Sequence, residues 1–162
     1  MEKRINIISA SSFALVCFLF FLPFINIECG SQKIFSVTGI ELVTGFTYQI
    51  PSPEKGANIS KESNMNYFAL LALLASCIGC IGSLLDYYHK RIRRDSIALA
   101  SVFTFIALLA LQVQMNSRIK SEVKTILVRL NFEIGYWICL AIPIFLILFL
   151  ILTKNQLDNK QS

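Results

Sequence analysis

The segment SNMNYFALLALLASCIGCIGSLL, from Ser63 to Leu85, contains no charged residue and decides the fold. Three further stretches also lack charge, at 5–27, 96–117 and 134–153, and each of the four has at least 20 residues. At about 1.5 Å per residue, such a helix crosses a hydrocarbon core of about 30 Å. We therefore predict an all-α membrane protein whose single domain is a four-transmembrane-helix bundle. The predicted spans are about 5–25, 65–85, 96–115 and 134–153.

Composition supports a membrane protein independently of these stretches. Apolar residues make up 55% of the chain and charged residues 15%, against about 25% charged residues in an average soluble domain. The net charge of +5 is compatible with nucleic-acid binding. Basic residues at helix ends are, however, what orientation in a bilayer requires. We expect the lipid bilayer as a partner and no nucleic acid.

The distribution of Lys and Arg predicts that both termini are cytoplasmic. With the amino terminus inside, the inner segments 1–4, 86–95 and 154–162 hold eight basic residues in 23 positions, against seven in the 51 positions of 28–62 and 118–133. Inner loops carry the excess of positive charge in membrane proteins. The inner loop 86–95 supplies the residues expected to fix orientation: Lys90, Arg91, Arg93 and Arg94.

The predicted spans lack the residues that membrane enzymes and ion pathways need. They contain no carboxylate, basic side chain or histidine, so nothing suggests a proton relay. The chain has one histidine, no Gly-rich phosphate loop and no Gly-x-Ser-x-Gly motif. We expect no enzymatic activity, no cofactor and no metal.

A face of small residues on the second span predicts close helix packing. Small side chains let two backbones approach in lipid, where van der Waals contact replaces the hydrophobic drive. The face either contacts another helix of the bundle or docks a partner subunit. Its members are Ala72, Ala75, Ser76, Gly79 and Ser83.

The first outer loop, 26–64, is predicted to be folded. Alternation around Gly30-Ser31 indicates a β-hairpin from Ile25 to Val37. Thr38 and Glu41 have the spacing of a capping box, and Gly45 suits the end of the short helix that follows. A third extended run covers 46–50, and order is expected to end with Pro51, Pro53 and Gly56. The loop either covers the outer bundle face or recognises a partner.

The second outer loop, 116–133, shows one apolar helical face that includes Ile119, Val123 and Leu130. We expect a helix that lies on the membrane surface or extends the third span. Tyr136 and Trp137 follow at the start of the fourth span, where aromatic rings favour the headgroup layer.

Cys77 and Cys80 form a Cys-x-x-Cys pair. This pair and the helix count resemble membrane disulfide-generating enzymes of the vitamin K epoxide reductase type, which implies a quinone-linked thiol oxidoreductase. In that family a second, outer cysteine pair passes electrons to the first, whereas Cys29 is the single outer cysteine here. The alternative is that both cysteines are small apolar packing residues.

The overall plan, four spans with a β-rich first outer loop and both ends inside, is similar to claudin-like tetraspan proteins. Their first loop carries a tryptophan motif and two bridged cysteines, which this loop lacks. Size and composition also resemble small bacterial membrane immunity proteins. Our interpretation is a non-enzymatic protein of the cytoplasmic or plasma membrane, acting by contact as an accessory subunit or homo-oligomer. The alternatives are immunity to a membrane-inserting toxin and thiol oxidation.

Overall fold

The computed structural model describes residues 2–29, 32–51, 58–89, 94–122 and 128–158. The described helices are α1 Glu2–Leu19, α2 Gly39–Thr44, α3 Tyr67–His89, α4 Arg94–Glu122 and α5 Ile134–Asp158. The described strands are β1 Pro23–Cys29, β2 Gln32–Thr38, β3 Phe46–Pro51, β4 Asn58–Ser63 and β5 Val128–Phe132. The prediction of a largely helical chain with a small strand hairpin is confirmed, although the strands extend further than expected.

Three described helices are long and apolar enough to cross a membrane. The segments are Tyr67–Tyr88, Ser96–Ser117 and Ile134–Thr153, with mean hydropathies of 2.4, 2.2 and 2.7. They match the second, third and fourth predicted spans. The apolar part of α1, Ile5–Leu19, is shorter. The structure thus has the helices expected of a multi-pass membrane protein.

The predicted outer end of the first span, residue 25, is wrong. α1 ends at Leu19, and β1 begins at Pro23 after a turn. The helix can end there because backbone N–H groups of α2 donate hydrogen bonds to the carbonyl groups that follow α1. Ile40 N donates to Phe20 O at 2.8 Å, and Gly39 N donates to Leu22 O at 3.4 Å. Carbonyls at a helix end need such partners when they are buried.

The four long helices pack in a ring. α1 contacts α3 and α5, and α4 contacts the same two helices. One buried cluster joins the start of α1, the start of α4 and the late part of α5, through Ile5, Ile97 and Leu150. A larger cluster lies at the other end of the bundle and includes Phe20, Phe24 and Leu108. The amino end of α1 and the carboxyl part of α5 therefore lie at the same end, away from the strands.

β5 joins the two segments predicted to be outer loops into one antiparallel sheet with the strand order β2-β1-β5. Ile25 pairs with Val37 on one side and with Phe132 on the other. Directly opposed residues share a face of a sheet, so these apolar side chains face the bundle together. The prediction of a helix through Leu130 is therefore wrong, although α4 does extend the third span to Glu122. Pairing with β1 satisfies backbone groups that a surface helix would leave at an open sheet edge.

A second hairpin follows α2. The extended run predicted at 46–50 is β3, which pairs with β4 from Phe46↔Ser63 to Pro51↔Asn58. The expectation that order ends with Pro51, Pro53 and Gly56 is wrong, because 58–63 forms a strand. Residues 52–57, between β3 and β4, and the predicted hairpin turn at Gly30 both lie outside the described residues.

Candidate functional site

The small-residue face of α3 packs against α1. Ala72, Ser76 and Ser83 are fully buried, and Ala75 is 8% exposed. An added Cβ at Gly79 would lie 2.6 to 2.8 Å from three carbons of the Phe13 ring. Real Cβ atoms do not come that close to a ring, so the absence of a side chain at Gly79 makes room for Phe13. At Gly79 the face is thus occupied by α1 of the same chain.

The contacts between α1 and α3 run in opposite directions along the two helices. Asn6 Nδ2 donates to Asp86 Oδ2 at 2.7 Å, near the amino end of α1. Further along α1, the carbonyl oxygen of Ala10 lies 3.7 Å from Cys80 Sγ. Residue numbers rise along α1 as they fall along α3, so the two helices are antiparallel. This is the arrangement that successive crossings of a bilayer require.

The buried hydroxyl groups of α3 and α4 are satisfied within their own helices. Ser76 Oγ donates to the Ala72 carbonyl and Ser83 Oγ to the Gly79 carbonyl, each at 2.8 Å. Ser101 and Thr104 bond to the carbonyls four residues before them in the same way. Such bonds let a hydroxyl sit in an apolar bundle without a partner on another helix. These four groups therefore form no polar path between helices.

The cysteines lie where α1 meets α3. Cys17 Sγ is 3.6 Å from Cys77 Sγ, while Cys80 faces the backbone of α1 instead. The two cysteines of the Cys-x-x-Cys pair thus have different neighbours, and Cys77 has its thiol contact on another helix. Sequence spacing could not reveal this pairing, because the two cysteines are separated by 60 residues. Among the described residues, no group of three or more His, Cys, Asp or Glu is placed to hold a metal ion.

The capping box predicted from Thr38 and Glu41 is present at the start of α2. Glu41 N donates to Thr38 Oγ1 at 3.2 Å, and Thr38 N donates to Glu41 Oε2 at 2.7 Å. Gly45 follows α2 with φ of 88°, and a Cβ there would lie 2.8 Å from the Ser63 carbonyl oxygen. These three residues therefore set the entry and exit of α2, and Gly45 allows β3 to meet the end of β4.

Gly39 and Gly135, neither of which was predicted to matter, join the strands to the helix bundle. A Cβ at Gly39 would lie 2.8 to 2.9 Å from atoms of Phe20, and one at Gly135 would lie 2.7 Å from the Pro23 carbonyl oxygen. Each glycine brings the start of a helix against the chain that leaves α1. A glycine at a predicted helix start indicates that another part of the chain approaches closely there. It does not reveal which part of the chain that is.

Asn66 was also missed, and it links α3 to α2. Its Oδ1 accepts from Phe68 N at 3.0 Å and Ala69 N at 3.4 Å, which caps the first turn of α3. Its own backbone N donates to the Leu42 carbonyl at 2.8 Å. An Asn immediately before an apolar run is typical of a helix N-cap, so the sequence did contain a signal for this residue.

An aromatic cluster lies beneath the sheet, and Tyr136 is at its centre. The Tyr136 ring is 4.6 Å from Phe132 and 5.9 Å from Phe24. Its side chain is fully buried, and its hydroxyl donates to the Leu108 carbonyl at 3.0 Å. The prediction that Tyr136 lies in the headgroup layer is therefore wrong, because β5 covers this end of α5. Trp137, the next residue, is 49% exposed.

The opposite face of the sheet is polar. Asn131 Nδ2 donates to Glu28 Oε2 at 2.8 Å across β1 and β5. Asn26 opposes Ser36 and Asn131 on this face and is only 3% exposed. Its Oδ1 has no hydrogen-bond partner among the described residues. Ser36 and Asn131 are exposed on this face, whereas Asn26 between them is covered.

Of the predicted orientation residues, the structure describes the backbone of one, at the end of the bundle that carries no strands. Arg94 is the first residue of α4, and its side chain is not among those described. Lys90, Arg91 and Arg93 lie outside the described residues. Their role in orientation stays a prediction.

Comparison with known proteins gives no relative: no family model, no curated protein and no solved structure matches this chain. The fold and its contacts are therefore the basis for everything proposed below.

Proposed function

We propose that the chain crosses the cytoplasmic or plasma membrane four times, with both ends in the cytoplasm, and acts by contact rather than catalysis. It serves as an accessory subunit of a membrane complex or as a homo-oligomer. The observation that carries the proposal is the sheet β2-β1-β5, which unites both outer segments in one surface on top of the bundle. Rigid surfaces of this kind suit recognition of a partner.

The proposed first crossing is α1 with the turn after it. Its 18 residues rise about 27 Å at about 1.5 Å per residue. Phe18 and Phe21, both 64% exposed, continue the apolar surface to the start of β1. Short spans are accommodated by local thinning of the bilayer at modest cost. The antiparallel contact with α3 supports the same placement.

The outer sheet is a better contact surface than the small-residue face of α3. Phe13 fills the space over Gly79, so a partner helix has no access there without displacing α1. The sheet instead has β2 and β5 as its edge strands and a polar outer face. Edge strands offer unpaired backbone groups that a partner strand can use.

Site-specific photocrosslinking tests this proposal. A photoreactive residue at Ser36, which is exposed in the middle of β2, should crosslink to a protein in intact membranes. The matched position is Ile144, which is exposed on α5 and should crosslink to lipid. Mass spectrometry of the product identifies a partner or a second copy. Protein crosslinks from Ile144 and none from Ser36 would place the contact on the helices and refute the proposed surface.

The second candidate function, thiol oxidation, is favoured by the contact between Cys17 and Cys77. Closing the 3.6 Å gap to a bonded distance of about 2.05 Å requires only a modest shift of the two side chains. The two thiols would release two protons and pass two electrons to a membrane quinone as the S–S bond forms. This pairing differs from the one that the resemblance implies, in which Cys77 and Cys80 react with each other.

Cysteine variants separate the two candidates. Cys17→Ser and Cys77→Ser each remove the candidate disulfide, and Cys80→Ser is the matched control because Cys80 faces a backbone carbonyl. Under the contact proposal, all three variants keep the parent phenotype and abundance. Loss of phenotype in the first two, with the protein still folded and the control active, would instead favour thiol oxidation.

A further inference from the structure

The surface between α1 and α3 contains a groove close to the amino end of α1. Its volume is about 440 Å³, within the range of about 300–1,000 Å³ of ligand clefts. Its apolar walls include Ile7, Ala10, Ala14 and Leu84. Ile7 is 54% exposed and Leu84 46% exposed, so the groove opens outward from the bundle. In the proposed bilayer it faces the acyl chains of the cytoplasmic leaflet.

Polar groups are concentrated at the amino end of this groove. Asn6, Tyr87 and Tyr88 line it there, and Ser11 lies one to two turns further along α1. The Tyr87 and Tyr88 rings meet edge to face, with centroids 5.3 Å apart. Tyrosine at the membrane boundary places its ring among the acyl chains and its hydroxyl among the headgroups. The groove thus has an apolar body and a polar end, as a phospholipid does.

Charge at this end of the bundle favours an anionic headgroup. Segments 1–4, 86–95 and 154–162 contain eight basic and four acidic residues. Lys3 and Arg4 lie in the first turn of α1, just before Asn6. Asp86 lies beside the groove, and its carboxylate accepts a hydrogen bond from Asn6. Basic clusters next to membrane helices attract anionic lipids.

We propose that this groove binds an anionic phospholipid of the cytoplasmic leaflet, with an acyl chain along α1 and α3 and the headgroup beside Asn6 and Tyr88. A second copy of the chain is a poorer occupant, because Phe13 already fills the space over Gly79 where a partner helix could approach α3 closely. If no ligand filled the groove, the side chains along both of its walls would lose van der Waals contacts. The proposal rests on the proposed bilayer crossing.

Native mass spectrometry of the full chain in mild detergent tests the proposal. Phosphatidylglycerol and phosphatidylcholine are added in equal amounts, and we expect preferential retention of phosphatidylglycerol by about fivefold or more, the preference that one nearby basic group supplies. Ala14→Phe fills the groove from an exposed position and should abolish this preference. The control is Ala141→Phe, on an exposed position of α5 outside the groove, which should leave it unchanged.

A thermal-shift measurement on the same samples gives a second readout that does not depend on ionisation. Phosphatidylglycerol should raise the melting temperature of the parent and of Ala141→Phe, but not of Ala14→Phe. Glycerol phosphate alone should have no effect, because the groove recognises the chain as well as the headgroup. Equal retention of both lipids, or unchanged retention by a folded Ala14→Phe variant, would overturn the inference. Absence of the parent from the membrane fraction would instead refute the proposed crossing itself.

Discussion

Replacement of Gly79 by alanine tests a close contact between α1 and α3. The new Cβ would lie 2.6 Å from Cζ of Phe13, and 2.7 and 2.8 Å from Cε1 and Cε2. Carbon atoms in good contact are about 3.5–4.0 Å apart, so the ring must move by about 1 Å. Phe13 is fully buried and packs with Leu146 of α5, so it has no open space to enter. Movement of the ring therefore displaces a second helix.

The expected free energy combines two opposing effects. Overpacking of this kind costs about 1–3 kcal/mol, whereas Gly→Ala in a helix interior gains about 1 kcal/mol. We expect Gly79→Ala to destabilise the protein by up to about 2 kcal/mol, and Gly79→Leu to prevent accumulation in the membrane. Phe13→Leu should relieve the clash, because it removes the ring atoms that the new Cβ meets.

A double-mutant cycle with Gly79→Ala and Phe13→Leu isolates the contact from the change in helix propensity. Unfolding by a denaturing detergent, followed by circular dichroism, supplies the four free energies. We expect a coupling of about 1–2 kcal/mol, within the range measured for residues in contact. Additivity to within about 0.3–0.5 kcal/mol would show that Phe13 does not lie over Gly79. If a Gly79→Leu variant stayed fully stable but lost a partner protein, the small-residue face of α3 would be a docking site for that partner after all.

Gly39→Ala should lower the melting temperature in detergent, because a Cβ would meet Phe20 backbone atoms at 2.9 Å; an unchanged value would contradict that approach. Tyr136→Phe should cost about 0.5–1.5 kcal/mol through loss of the bond to Leu108, measured by the same unfolding assay, and a neutral result would show that the bond contributes nothing. A membrane-impermeant thiol reagent applied to intact cells should label Cys29 and leave the cysteines of the spans unlabelled; labelling of Cys77 or Cys80 without labelling of Cys29 would overturn the proposed topology. Joint neutralisation of the orientation residues should give mixed topology in reporter fusions, and unchanged topology would assign orientation to the amino terminus alone. The residues neutralised in that variant are Lys90, Arg91, Arg93 and Arg94.

The sequence predicts well those features that depend on local composition. Three long apolar runs give three long helices, and the Thr38 to Glu41 spacing gives the capping box of α2. Both depend on residues close together in the chain, so hydropathy and spacing suffice to find them. The first hairpin is also local, and its strands have the predicted alternation.

Features that depend on distant partners were missed. The segment around Leu130 has apolar residues that fit both a helical and an alternating pattern, and pairing with β1 decides in favour of a strand. Tyr136 is buried because β5 covers it, which no property of its own neighbours indicates. The contact of Cys17 with Cys77 and the role of Gly39 likewise depend on which helices meet. A single sequence contains the residues of such contacts but not their pairing.

Close backbone contacts attach the sheet β2-β1-β5 directly to the helix bundle. Gly39 joins α2 to the end of α1, and Gly135 joins the start of α5 to Pro23 in β1. Glu133, between β5 and α5, donates its backbone N–H to the Phe24 carbonyl at 2.9 Å. The sheet is therefore held by the ends of α1 and α5 through backbone contacts, which have little freedom to adjust. A partner that binds the sheet must accept the orientation that these helix ends impose. Equally, a change in the packing of α1 against α5 would move β1, the central strand of the sheet.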